Sequence, residues 1–453
     1  MKLKKLAVLI AAAGMSASAF ATNGMNMEGY GPVATGMGGA SFAYDNGTAG
    51  MINNPATLGF MASGTSRLDI AVGGLHPDVN SKMMGMKAGS DGDAYYMPAI
   101  GYVRKDGKLA WGVGMMAQGG MGTEYGKHSF FSGVPSSGLE NRSKLGLGRV
   151  IFPLAYDVTD SFNIGGSIDY LWGGLDLQML MPAASLGAMM AGTSPLGSAT
   201  VTPGSQLQAG IGAMFPTMAG AHFDFSKGSN KFTQELTTNG WAWNLGFTWK
   251  AAPNLTVGGI YHAKTDLSDM SGNGRLNIVS NTGVITPMAG KLKVKDFQWP
   301  ETYGIGVAYQ ATEKLMLVAD YKRINWSDVM KNFEMRYTAN GVTGVMDAKL
   351  YQNWDNQNVF MIGGSYKYNN ALTLRAGVNL SSNPVPSKNL NALFPATIEN
   401  HYTLGFGYAF NKVSSIDFSY SYAPEVSETN PNTGIKTTHS QTNNWQAMYS
   451  HRF

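Results

Sequence analysis

Seven histidines, one pair of close aspartates and one glycine-rich hexapeptide are the places where this sequence could carry reaction chemistry. His76, His128, His222, His262, His401, His439 and His451 show neither H-E-x-x-H nor another close ligand spacing, so no metal site is expected. Asp91-Gly92-Asp93 has carboxylates to offer calcium, but the EF-hand spacing and its terminal Glu are missing, and the tripeptide reads as a solvated loop. Gly29-Tyr30-Gly31-Pro32-Val33-Ala34 fits G-x-G-x-x-A. Those glycines cradle a pyrophosphate only when a strand precedes them and a helix follows, and no strand pattern stands before them. A G-x-S-x-G elbow is absent, so nucleophilic hydrolysis has no local signature. No cofactor is expected.

What the sequence offers instead is apolar surface. Within residues 173–239, Pro182 can open a short helix bearing Leu186, Met189 and Met190. Ser205 can cap a second, with Leu207, Ile211, Met214 and Phe215 on one side. Methionine is flexible and polarizable and suits surfaces that accept varied apolar ligands. The plainer expectation is that these helices pack on each other or on the amino-terminal segment 22–63.

The elements that would position such a surface repeat with period two. In Trp241 to Lys250, Trp241, Trp243, Leu245, Phe247 and Trp249 share one face, while Ala242, Asn244, Gly246, Thr248 and Lys250 share the other. Tyr402, Leu404, Phe406, Tyr408 and Phe410 alternate in the same way with Thr403, Gly405, Gly407 and Ala409. About ten tilted residues cross a bilayer, and the apolar faces end in Trp or Tyr, as interface girdles do. Fourteen such segments are expected near 66–76, 94–104, 108–117, 147–157, 161–172, 240–250, 254–264, 298–310, 313–324, 356–368, 371–380, 399–410, 413–423 and 441–453. Short turns and long loops alternate between them, which a sandwich has no reason to do. The expected fold is all-β and transmembrane: a closed antiparallel outer-membrane β-barrel of 14 strands. The final segment, Trp445 to Phe453, carries alternating aromatics up to its terminal Phe.

Composition agrees. Charged residues make up 14% of the chain, against about 25% in ordinary soluble domains. Lys2, Lys4 and Lys5, the apolar stretch Leu6 to Met15 and Ala19-Phe20-Ala21 read as a signal peptide over 1–21. Removing those three lysines takes the formal charge of +4 to about +1, which argues against nucleic acid as a partner. Cysteine is absent, so there is neither a disulfide framework nor a thiol site.

By parity with apolar neighbours, Arg149, Asp320, Lys322 and Arg375 should face the lumen, where polar residues are normal and a cation could also meet a carboxylate headgroup. Pro153 lies inside the fourth segment and cannot donate to a ladder, which favours a bulge or a gap. The neighbouring third segment holds Gly112 and Gly114.

Residues 22–63 do not read as a membrane strand. A barrel of this width leaves a lumen unless something fills it, and this stretch of small and flexible apolar residues is a candidate filling. Here the chain resembles the FadL-type outer-membrane transporters of long-chain fatty acids and other hydrophobic compounds. The resemblance rests on GYGPVATGMGGAS, on DNGTAGMINNPATL with Asn54-Pro55-Ala56, on WPETYGIGVAYQATEKLMLVADYKRINWSD and on GGSYKYNNALTLRAGVNLSSNPVP. It implies an N-terminal hatch over 22–63 inside a barrel over 64–453, with Asn54, Pro55 and Ala56 as the hatch motif. It also implies a binding groove among the loops, an interior site and a side opening near the third strand, where Gly112, Gly114 and Pro153 stand. Members taking fatty acids are expected to carry basic residues just beyond the fifth strand. Here that stretch is Gly173-Gly174-Leu175-Asp176-Leu177, which leaves room for neutral hydrocarbons or aromatics.

The expected function is passive transport of hydrophobic small molecules across the bacterial outer membrane, by a monomer whose other partners are outer-membrane lipid and lipopolysaccharide. The alternative is a barrel-embedded hydrolase or a surface adhesion protein.

Overall fold

The computed structural model describes residues 23–133, 136–227 and 233–453; the signal peptide expected at 1–21 lies outside the described residues. From the amino end the strands are β1 (Thr65–Leu75), β2 (Pro77–Met83), β3 (Met86–Gly89), β4 (Tyr95–Asp106), β5 (Leu109–Tyr125), β6 (Asn141–Asp157) and β7 (Phe162–Pro182). They continue as β8 (Gly197–Val201), β9 (Met218–Phe225), β10 (Leu236–Ala252), β11 (Leu255–His262), β12 (Asp266–Leu267), β13 (Met270–Ser280) and β14 (Ile285–Lys295). The rest are β15 (Thr302–Gln310), β16 (Leu315–Ile324), β17 (Asn332–Ala339), β18 (Val345–Tyr351), β19 (Gln357–Lys367), β20 (Leu372–Ser381), β21 (Asn400–Ala409), β22 (Ser414–Thr429) and β23 (Lys436–Arg452).

The wall follows one path of antiparallel pairing. β1 pairs with β4, then β4 with β5, β5 with β6, β6 with β7 and β7 with β10. The path continues from β10 to β11, β15, β16 and β19, and from there through β20, β21 and β22 to β23. β23 returns to β1, from Gly74↔Trp445 to Arg67↔Arg452, and closes the barrel. Closure leaves the sheet without a free end strand.

Alternation decides which face meets lipid. Trp241, Trp243, Leu245 and Trp249 of β10 are exposed, while Asn244 and Thr248 between them are buried. Tyr402, Leu404, Phe406 and Tyr408 are exposed on β21, and His401 and Thr403 are buried. Water would not tolerate so continuous an apolar belt. Among the described residues no helix is long and apolar enough to cross a membrane.

Several expected boundaries move. The segments expected at 108–117, 147–157 and 161–172 extend to 109–125, 141–157 and 162–182. The long loops also hold strands that were not expected. β9 pairs with the upper part of β7, and the pairing then runs through β13, β14, β17 and β18 to β8. Of these, β13–β14 and β17–β18 are local hairpins, turning at Thr282-Gly283 and Asn340-Gly341, which the period-two reading passed over. The other pairings join loop to loop over long sequence separations and have no local signal. Their inward faces, including Leu292, Val294, Met335, Tyr337, Met346 and Ala348, join one large core. The two expected loop helices form as α3 (Ala183–Met190) and α4 (Gln206–Met214), following the short α1 (Pro32–Thr35) and α2 (Gly50–Asn53). Ser205 Oγ accepts from the Gln208 N–H at 3.1 Å, capping α4.

Candidate functional site

Asn54 uses every hydrogen-bonding group of its side chain. Its Oδ1 accepts from Ala56 N at 3.1 Å, capping the 3-10 turn Pro55–Phe60 that Pro55 opens. Its Nδ2 donates to the carbonyl of Phe42 at 2.7 Å and to that of Phe247, in β10, at 3.1 Å. The turn is fixed at its far end too, where Lys105 Nζ donates to the Gly59 carbonyl and pairs with Asp157.

The rest of 23–63 is attached around the inside of the wall. Asp320 Oδ2 accepts from Ser41 N at 2.6 Å and Phe42 N at 3.0 Å. Gly38 N donates to Thr403 Oγ1 at 2.9 Å, Thr48 N to Asp69 Oδ2 at 2.8 Å, and Gln446 Nε2 to Gly29 O at 3.2 Å. Close approach explains part of the glycine content. A Cβ at Gly258 would stand 1.8 Å from the Phe42 carbonyl oxygen, and one at Gly246 would stand 2.0 Å from Asn54 Oδ1. The wall is therefore bare of side chains at these two points of contact.

Three of the four expected lumen charges have partners. Arg149 pairs with Asp169 at 2.5 Å, and Asn244 Nδ2 also donates to Asp169, at 2.8 Å. Arg375 pairs with Asp417 at 2.8 Å. Asp320 is held by the amino-terminal segment, as described. Among the described residues no ion pair joins Lys322 to a carboxylate. Arg149 and Lys322 both line a small polar cavity of about 50 Å³, together with Glu28, Tyr30, Asn53, His262 and Trp299. Burial raises the Tyr30 phenol well above its ordinary pKa. It stays a neutral donor and bonds the Gln118 carbonyl at 2.6 Å.

On the loop side lies a larger apolar groove of about 410 Å³. Phe130 and Phe131, Met179 and Met181, Met189, Leu390 and Ile435 line it, drawn from five separate stretches of chain. Next to it is an apolar neck constricted to about 10 Å³, lined by Met25, Met121, Phe297, Met330, Phe333 and Phe394. Leu350 and Gln352 belong to both groove and neck. Met25 in the neck adjoins Asn26 in the polar cavity, where Asn26 Oδ1 accepts from Trp299 Nε1 at 2.6 Å.

The wall is interrupted beside these cavities. The β4–β5 ladder stops at Ile100↔Met115, although β5 runs on to Tyr125. Beyond that point Tyr95 to Ala99 pair with β1, and β5 pairs with β6. The register of β5 on β6 shifts between Ala117 and Gly119, leaving Gln118 as a bulge. Gly119 has φ +153°, and a Cβ there would stand 2.1 Å from the Met25 carbonyl oxygen. Lower down, the β5–β6 pairing passes from Trp111↔Leu154 to Gly114↔Ile151, omitting Gly112–Val113 and Phe152–Pro153. Pro153 has no N–H to give. Met51 covers this stretch from inside, since a Cβ at Gly114 would stand 2.6 Å from its sulfur.

The sequence model of the family described as "Outer membrane protein transport protein (OMPP1/FadL/TodX)" matches residues 8–450. The chain belongs to this family. Outer membrane protein P1 of Haemophilus influenzae is 26% identical over 440 residues, covering 92% of this chain and 88% of its own. The long-chain fatty acid transport protein of Escherichia coli O157:H7 is 22% identical over 367 residues, covering 78% of this chain and 75% of its own. The structure of the P. putida toluene transporter TodX superposes with a TM-score of 0.84 at 31% identity, covering 94% of this chain and 99% of that one. This member of the OMPP1/FadL/TodX family is an outer-membrane β-barrel of a class of transport channels for hydrophobic compounds.

Of the seven loop residues singled out in this family member's sequence, Met189 lines the groove. Leu186, Leu207 and Ile211 are buried in the core, Met214 and Phe215 pack against it, and Met190 is exposed. The sequence reading missed Phe130, Phe131, Leu390, Ile435 and Gln352. Two adjacent phenylalanines in an otherwise polar loop were the one available signal.

Proposed function

We propose that the protein is a passive channel for apolar small molecules, aromatics or fatty acids, across the outer membrane. A molecule leaves water in the loop-side groove, passes the neck at Leu350 and Gln352, reaches the polar cavity and exits sideways through the wall. The observation that carries this reading is the succession of groove, neck and cavity through shared or adjacent residues. Apolar walls favour partition from water, and a groove of about 410 Å³ falls within the usual size of small-molecule sites. A toluene transporter at 31% identity favours single-ring aromatics. Arg149 and Lys322 at the inner cavity favour a ligand with an anionic end, such as a fatty acid.

On this reading the wall has fourteen membrane-crossing strands, namely β1, β4 to β7, β10, β11, β15, β16 and β19 to β23. Residues 22–63 act as a hatch, with Asn54, Pro55 and Ala56 as its fixed turn. Met189 touches the ligand, while Leu186, Met190, Leu207, Ile211, Met214 and Phe215 shape the loop that holds it. Arg375 serves the wall through Asp417. The lateral exit lies where the β4–β5 ladder stops and where Gly112, Gly114 and Pro153 interrupt the next one. The barrel works as a monomer, its outer rim set in lipopolysaccharide. The test is uptake of toluene and of a long-chain fatty acid into vesicles with a lipopolysaccharide outer leaflet, with and without the purified protein. Faster uptake of either, lowered when Ile435→Trp fills the groove, is the expected result. Unchanged uptake of both would end the proposal.

A further inference from the structure

Gln352 stands where the groove meets the neck, and its side chain lines both. It is 5% exposed. The backbone there is firmly held: Gln352 N and Asn353 N both donate to the Lys331 carbonyl, at 2.9 and 3.0 Å. Asn353 takes a left-handed φ of 46°, a kink in the chain between Gln352 and the buried Trp354. The Gln352 side chain, by contrast, is scarcely bonded. Its Nε2 reaches only the Leu350 carbonyl, at 3.5 Å, the limit of a hydrogen bond. Among the described residues nothing donates to its Oε1. On the neck side Leu350, Met330, Phe333 and Phe394 share the lining with it; on the groove side the lining also holds Asn389 and Asn391. Its Oε1 is not fully enclosed, so the amide stays open to what occupies the groove and neck, where Met would fill the same space without a polar group.

We propose that Gln352 determines specificity by hydrogen-bonding the one oxygen of an otherwise apolar permeant, so that the neck passes aromatic alcohols and phenols ahead of bare hydrocarbons. The amide donates through Nε2 and accepts through Oε1, which matches a hydroxyl on both counts. A hydrocarbon of the same shape can reach Gln352 from the groove of about 410 Å³ but leaves the amide unpaired. Sites built around such a group discriminate more strongly than apolar pockets do. This inference rests on the transport reading above.

The experiment compares uptake of benzyl alcohol and toluene into the same vesicles by the wild-type protein, Gln352→Met and Gln352→Asn. The wild type should favour benzyl alcohol. Gln352→Met should lose about tenfold of that preference, and heat-modifiable migration of the purified barrel shows that the variant folds. Gln352→Asn, which keeps the amide, should retain part of the preference. An unchanged ratio in Gln352→Met would overturn the assignment and leave Gln352 a merely hydrated residue. Loss of both uptakes with an intact, heat-modifiable barrel would overturn it as well, since Gln352 would then be a support of the neck. If the wild type accelerates neither compound, the transport reading itself fails.

Discussion

The side-chain nitrogen of Asn54 donates to the main-chain oxygen of Phe247 at 3.1 Å, tying the amino-terminal segment to wall strand β10. The same nitrogen bonds Phe42, and its partner oxygen caps the turn that follows. One side chain therefore joins two parts of the segment to each other and to the barrel.

Replacing Asn54 by Ala should free that joint. The lost cap costs about 1 kcal/mol and each buried carbonyl left unpaired costs about 1–3 kcal/mol. The barrel, held by its own ladders, should stay folded while residues 23–63 become open to protease. Limited proteolysis followed by mass analysis checks this. Cleavage no faster than in the wild type would show that the joint carries no load. Pro55→Gly, which only loosens the turn, should give a smaller change in the same direction.

Gly258 meets the Phe42 carbonyl where a Cβ would stand 1.8 Å away. Gly258→Ala should displace the segment from β11 and lower the yield of refolded barrel in detergent. Gly210 of α4 has open space around the same atom, and Gly210→Ala should be neutral or stabilising by up to about 1 kcal/mol. Equal behaviour of the two variants would mean that the wall yields easily at Gly258.

Asp169 accepts from both Arg149 and Asn244 in the barrel interior. Asp169→Ala leaves a buried cation unpaired and should cost about 3–5 kcal/mol. The double variant Arg149→Met, Asp169→Leu should recover much of that loss. Urea midpoints of the detergent-solubilised protein measure both.

His222, in β9 on the loop side, bonds the Glu140 carbonyl at 2.7 Å and Asn277 at 3.4 Å. Burial lowers its pKa below the ordinary 6.5, opposed in part by the Glu140 carbonyl and Asp224. The unfolded loop thus binds a proton more readily than the folded one. The stabilisation is complete above about pH 6.5 and declines as pH falls towards the lowered folded value. Protease cleavage of the β9–β13 region should therefore speed up in mild acid, and His222→Gln should flatten that rise. An acid response equally steep in His222→Gln would place its origin elsewhere.

The wall was legible because lipid imposes a strict rule on each strand separately. Trp241, Trp243 and Leu245 must point outward whatever the neighbouring strand does, so period two survives in ten residues of sequence. The loop strands β8, β9, β13, β14, β17 and β18 answer to no such rule. Leu292 and Val294 of β14 are buried because β17 and loop-side neighbours cover them, a condition met only after folding. Glycine was legible as a count but not as a cause. Gly246 and Gly258 look like any small inward residues until Asn54 and Phe42 are seen against them. The groove was hidden for a related reason. Its lining comes from Phe131, Met189, Leu390 and Ile435, far apart in the chain, and of the residues chosen from helical spacing only Met189 reaches it.

The amino-acid sequence alone determined a chain of two-faced strands with tight turns on one side, hence a closed barrel in the outer membrane. Alternation and turn chemistry are local and need no partner to be read. Which loops would meet, where the ladders would part and what would lie against the inner wall were settled by tertiary structure, because those contacts join residues with no periodic relation along the chain. The polar cavity around Lys322 and the neck at Gln352 exist only once the amino-terminal segment is in place.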